Sequence, residues 1–216
     1  MKSFKTLLIS SERRLFSSLN SPTKIQNFLD SLPINFELSG ETYMSPRRTI
    51  QARTAHCFEG ALLAAAALAY HGKKPLLMDL RTSAEDQDHV VALFKEGEYW
   101  GAISKTNHPV LRFRDAIYKT PRELALSYFH EYFMDKGGKK TLREYSRPFD
   151  LSSHRPESWI TAPEELFALV HELDDSPHVA IAPAHLLRKL RPATPFEIEA
   201  TGMTEWKSKE RAKKRT

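Results

Sequence analysis

The chain has 216 residues and one cysteine, Cys57, in the stretch "RTAHCFEGALLAAAALAYHG" from Arg53 to Gly72. An Ala/Leu-rich helix is expected to begin at that cysteine. Free N–H groups and the macrodipole at a helix start favour an anion, so a thiol placed there is biased toward the nucleophilic thiolate. A thiolate needs a base that can hold it as an ion pair and later protonate a leaving group. Of nine histidines, His89 is the candidate, because it opens the apolar run "HVVALF". With Glu96 and Gly97 as the two turn residues of a hairpin, Leu93 faces Trp100 and His89 faces Ser104. Ser104 would then take the second N–H of the imidazole and hold its tautomer. Asn107, three residues on, is the alternative orienting residue. Gln51, six residues before the cysteine, could join the Cys57 N–H in an oxyanion hole.

Other reactive side chains carry weaker readings. His56 reads as a loop or cap neighbour of Cys57. Adjacent residues at a helix start point in different directions, which makes it a poorer base than His89. The acidic "EDQDH" (Glu85 to His89) reads as a solvated loop, since no second His/Cys cluster completes a zinc set. "SYFHEYF" (Ser127 to Phe133) reads as an aromatic stripe facing the core, with a substrate-groove wall as the other use. Asp79 either borders the site or ends its strand.

These residues must be positioned by the elements around them. "SPTKIQNFLDSLP" has a capping Ser21, Pro22 in the first turn and Ile25, Phe28, Leu29 and Leu32 at helical spacing; Pro33 stops it. "INFELSGETYMSPRRTIQAR" reads as a loop. The cysteine helix follows, apolar nearly all round and therefore buried on most sides. Gly60 costs about 1 kcal/mol inside it relative to Ala, which points to close approach of another backbone. "KKPLLMDL" reads as a buried strand, then come the two hairpin strands, then a helix in "TPRELALSYFHEYF" with Thr120 as cap. "APEELFALVHEL" reads as helical and "HVAIAP" as a short strand. "HLLRKLRPATPFEIEATG" reads as a further helical turn and a loop. Three consecutive strands without crossover helices predict an antiparallel sheet, so the fold class is α+β: a buried central helix carrying the cysteine, packed on that sheet, with flanking helices.

"QARTAHCFEGALLAAAALAYHGKKPLLMDL" followed by "DHVVALFKEGEYWGAIS" resembles the core of the transglutaminase-like superfamily, over roughly residues 45–105. The resemblance implies a papain-like α+β fold with Cys57 as nucleophile and His89 as its partner. The third place falls on Ser104, four residues after Trp100, where the family usually carries Asp; papain-like relatives use a neutral Asn there. Gln51 resembles the papain-like oxyanion glutamine. The implied function is acyl transfer to an amine or hydrolysis of an amide or peptide. The alternative is an altered or inactive module of the same fold that binds a peptide or protein partner. A peptide or protein substrate is expected, and the chemistry requires no metal or organic cofactor.

A net charge of +5 is accounted for by "KSKERAKKRT" at residues 207–216, with six Lys/Arg against one Glu. It reads as a basic flexible tail, without a nucleic-acid recognition motif. Residues 1–206 read as one transglutaminase-like domain with an N-terminal helical extension. One cysteine cannot form an internal disulfide. The short apolar run Leu7 to Ile9 does not make a leader, and no stretch reaches the roughly 20 apolar residues of a membrane span. A cytoplasmic protein, outside the membrane, is the expectation.

Overall fold

A computed structural model describes residues 4–208, which leaves all of the basic tail except Lys207 and Ser208 outside the described residues. Helix α1 (Ser10–Ser18) opens with the Glu12 carboxylate accepting the Ile9 N–H at 2.9 Å. Helix α2 (Pro22–Ser31) has the expected Ser21 cap on the Lys24 N–H and the expected proline in its first turn. The passage read as a loop contains helix α3 (Pro46–Ala52), opened by Ser45 and Pro46 in the same way and closed at Arg53, whose φ is +54°. Its Arg47 reaches back to the buried Glu12 at 2.7 Å, tying α3 to α1.

Helix α4 runs from Cys57 to Tyr70, and every residue from Phe58 to Leu68 is buried. It lies on a sheet of strands β1 (Leu76–Thr82), β2 (His89–Glu96), β3 (Tyr99–Ile103), β4 (Arg114–Tyr118), β5 (Leu142–Ser146), β6 (Phe149–Asp150) and β7 (His178–Ala180). The spatial order is β4-β3-β2-β1-β5-β7, with β6 on β1 beside β5, and every pairing is antiparallel. The α+β class therefore holds, with a larger sheet than the expected strands supply. Helix α5 (Pro121–Tyr128) covers the face opposite α4, and α6 (Phe167–Asp174), α7 (Ala184–Leu187) and α8 (Pro195–Thr201) complete the α-helices of the described residues.

Two apolar clusters result, one on each face of the sheet. Leu77, Val90, Ala92, Phe94 and Ile103 pack with α4, and Phe16 and Leu29 bring α1 and α2 into the same cluster. Met78, Leu80, Val91 and Leu93 pack with Leu124 and Tyr128 of α5. Burial on both faces explains why β2 is apolar without alternation. No helix among the described residues is long and apolar enough to cross a membrane.

The β2–β3 hairpin turns one position later than expected. Glu96 pairs with Tyr99, so Gly97 and Glu98 are the turn residues, and Gly97 supplies the required positive φ of +59°. Leu93 pairs with Ala102 instead of Trp100. Every cross-strand pair is displaced by two residues, which preserves which face each side chain occupies.

Candidate active site

Cys57 is the first residue of α4, where the leading amides have no intrahelical acceptor. Burial by itself pushes its thiol up. Hydrogen bonds from His56 and His89 and the charges of both imidazoles outweigh burial and hold the thiol well below its ordinary range. The sulfur is thus biased to the thiolate by two rings, one from the residue before the helix and one from the start of β2.

His89 is buried and pairs across the sheet with Leu80, on the face that α5 covers. Its Nε2 lies 2.7 Å from Oγ of Ser104. The Ser104 hydroxyl has one proton, and it donates that proton to the carbonyl oxygen of Leu111. A carbonyl has none to give, so the Ser104 oxygen accepts from His89 Nε2–H. This puts a proton on Nε2 and leaves Nδ1 outside the Ser104 contact.

Leu111 is itself held in place. Its φ is +58°, in the left-handed region that costs a non-glycine residue about 1–3 kcal/mol. The Glu131 carboxylate accepts the Leu111 N–H at 2.7 Å, and Arg114 Nη2 pairs with Glu131 at 2.6 Å. On the other side, the Gln26 amide of α2 grips the Ser104 backbone: its nitrogen donates to the Ser104 carbonyl at 2.7 Å, and its oxygen accepts the Ser104 N–H at 3.0 Å. Gln26 therefore acts as one more strand partner for the end of β3.

Gly60 has its reason at the same place. A Cβ there would fall 2.5 Å from the Cβ of Lys105. The close neighbour is thus a side-chain carbon, not the backbone expected from the sequence. Lys105 is buried and donates from Nζ to the Leu32 carbonyl.

His56 takes a larger part than a cap neighbour. Burial pulls its pKa down, but the hydrogen bond to Cys57, the thiolate charge, the Glu59 carboxylate and the Thr42 carbonyl carry it up to about 9. Its Nε2 is 2.6 Å from the Thr42 carbonyl oxygen, so Nε2 carries a proton. Glu59, fully buried, accepts from the His56 N–H at 3.0 Å, the Met44 N–H at 3.2 Å, the Thr42 hydroxyl at 3.0 Å and the Asn35 amide. One carboxylate thereby caps the helix and anchors the loop that carries Thr42.

The other expected residues fall elsewhere. Gln51 is exposed on the last turn of α3. Asn107 holds Trp206 at both ends of its amide, at 2.8 and 3.1 Å, so Ser104 and not Asn107 orients His89. Asp79 is buried and meets His178 Nε2 at 3.0 Å, joining β1 to β7. The acidic loop is ordered by its own carboxylates: Asp88 accepts the Thr82 N–H at 2.6 Å, and Asp86 accepts the Thr141 hydroxyl at 2.5 Å. No group of three or more His, Cys, Asp or Glu among the described residues is placed to hold a metal ion.

Sequence reasoning missed Gln26, Leu111, Glu131 and the role of His56. Only His56 carried a local signal, a histidine directly before the cysteine. No family model and no curated protein matches the chain.

Proposed function

We propose that the chain is a transglutaminase-like cysteine acyltransferase or hydrolase acting on an amide or peptide carbonyl. The observation that carries the reading is the buried His89, held by Ser104 at 2.7 Å and near enough to Cys57 at the head of α4 to lower its thiol. Support also comes from the order of parts: a cysteine opening a buried helix, a histidine opening a strand of an antiparallel sheet, and the orienting group just past the next strand.

The thiolate attacks the carbonyl carbon. A C–S bond forms as the carbonyl electron pair moves onto oxygen. Collapse of that intermediate re-forms the carbonyl and breaks the C–N bond, and the Nδ1 proton of His89 goes to the leaving amine. Neutral Nδ1 then takes a proton from water or an acceptor amine as it attacks the thioester. Expulsion of sulfur restores the thiolate, and the imidazolium is recovered. Ser104 is uncharged and steers the ring without offsetting its positive charge. The positive charge of His56 supports the thiolate before attack, which compensates for the missing Asp.

Acylation by p-nitrophenyl acetate, followed by intact mass, tests the reading. An acetyl adduct on Cys57 is expected, lost in Cys57→Ala and slowed in His89→Ala. No adduct on the unaltered protein, or equal rates with and without His89, would refute it.

A further inference from the structure

The turn leading into β5 and the segment that begins with α7 enclose a cavity of about 500 Å³, within the range of small-molecule sites. Its two walls are joined through the backbone. The Ala193 N–H donates to the Gly138 carbonyl at 2.8 Å. Gly138 has a φ of +64°, and a Cβ there would run into the Ala193 carbonyl, so glycine is what lets the walls meet.

Lys139, Lys140, Arg143 and Arg188 line the cavity with Leu187 and Leu190, and no Asp or Glu does. Lys139 is engaged, donating from Nζ to Glu85 at 2.8 Å. The other three cations form no ion pair among the described residues. Lys140 is only 8% exposed, and its ammonium meets the His130 carbonyl at 3.5 Å and the Phe133 ring at 5.3 Å. The Arg143 guanidinium is held by the Leu142 and Lys140 carbonyls at 3.0 and 2.9 Å, which fix its plane and leave its charge unneutralised. Glu197, the next acid after this segment, is used in capping α8: it accepts the Thr194 N–H at 2.6 Å and the Thr194 hydroxyl at 2.8 Å.

A buried ammonium without a counter-charge is costly, and a cleft lined by one sign of charge concentrates the other. A fixed guanidinium matches phosphoryl oxygens, with lysine as a point charge beside it. Three unpaired cations suit two phosphoryl groups better than one carboxylate. The leucines form an apolar wall that an inorganic ion would leave uncovered.

We propose that this cavity binds a small organic diphosphate, with Lys140, Arg143 and Arg188 on the phosphoryl oxygens and Leu187 and Leu190 against the organic part. None of these residues belongs to the Cys57, His89 and Ser104 site, so the inference stands apart from the acyl reading.

Isothermal calorimetry with ADP in metal-free, low-salt buffer tests it. ADP should saturate one site with a Kd below about 1 mM, and adenosine should not bind. Arg143→Gln and Arg188→Gln should each weaken ADP at least about tenfold. Arg188 is exposed and its side chain bonds no other group among the described residues, so its variant keeps the fold. Lys24→Gln removes the same charge from the exposed side of α2, a helix of the other apolar cluster, and should leave ADP affinity unchanged. No saturable ADP binding, equal affinity for adenosine, or equal weakening by Lys24→Gln would overturn the proposal.

Discussion

Ser104 and His89 meet at 2.7 Å although the hairpin does not set them face to face. The β2–β3 ladder has the register that would place Val91, not His89, opposite Ser104. Residues two apart on a strand share a face, so His89 reaches Ser104 diagonally. The serine suits this contact because its hydroxyl has two tasks at once: it accepts from the imidazole and donates to the Leu111 carbonyl.

That double role makes substitutions at Ser104 informative. Ser104→Ala leaves a buried imidazole N–H and a carbonyl without partners. At about 1–3 kcal/mol for such a loss, acylation should fall roughly 5- to 150-fold. Ser104→Asp should not raise the rate, because a carboxylate has no proton for Leu111. Burst kinetics with p-nitrophenyl acetate measures both, and an aspartate variant faster than the unaltered protein would contradict the assignment.

Gln26 positions Ser104 through the backbone and touches no reacting atom. Gln26→Leu should lower kcat about tenfold, on the scale of one or two buried hydrogen bonds, while leaving KM near its original value. An equal change in both parameters, or none, would place Gln26 outside the machinery.

Gly60→Ala would drive a methyl to 2.5 Å from Lys105 Cβ, an atom too close to the backbone to swing away. Overpacking of this kind costs about 1–3 kcal/mol, a fall of several degrees in Tm for a chain of this size. Calorimetry decides it; an unchanged Tm would show that the end of β3 yields freely.

The Cys57–His56 pair also sets how stability varies with pH. His56 is raised from 6.5 to about 9, so its contribution is full below 6.5 and is lost as pH rises through 9. Cys57 is lowered, so its contribution is present above an ordinary thiol value near 9 and is lost as pH falls through the folded value. From the higher of 6.5 and the folded thiol value up to pH 9, the two slopes oppose and cancel. Denaturant titrations of the unaltered protein and Cys57→Ala should differ by a component that is flat on the approach to pH 9. A steep slope of that component there would contradict the coupled pair.

How much of this was legible depends on the range of the contact. The thiol at a helix start, the histidine at a strand start and the buried helix between them follow from local pattern, and Ser104 survived an error in the turn because the displacement was even. Helix α3 was legible too, since Ser45–Pro46 repeats the Ser21–Pro22 opening of α2, but its seven residues gave too little periodicity to outweigh the polar passage. Strands β4 to β6 are short or half-buried and lack the apolar alternation that marks a strand. The grip of Gln26 on Ser104 spans 78 residues, and no spacing rule connects them. The aromatic stretch "SYFHEYF" does turn Tyr128 and Tyr132 into the core, as its composition indicates.

The central claim is a thiolate held by two imidazoles, and the pH profile of Cys57 alkylation by iodoacetamide tests it most directly. The rate should reach its plateau well below the pH of about 8.5 at which an ordinary thiol titrates. It should shift toward ordinary behaviour in both His56→Phe and His89→Ala. A profile that rises only through about pH 8–9, unaltered by either substitution, would contradict the account.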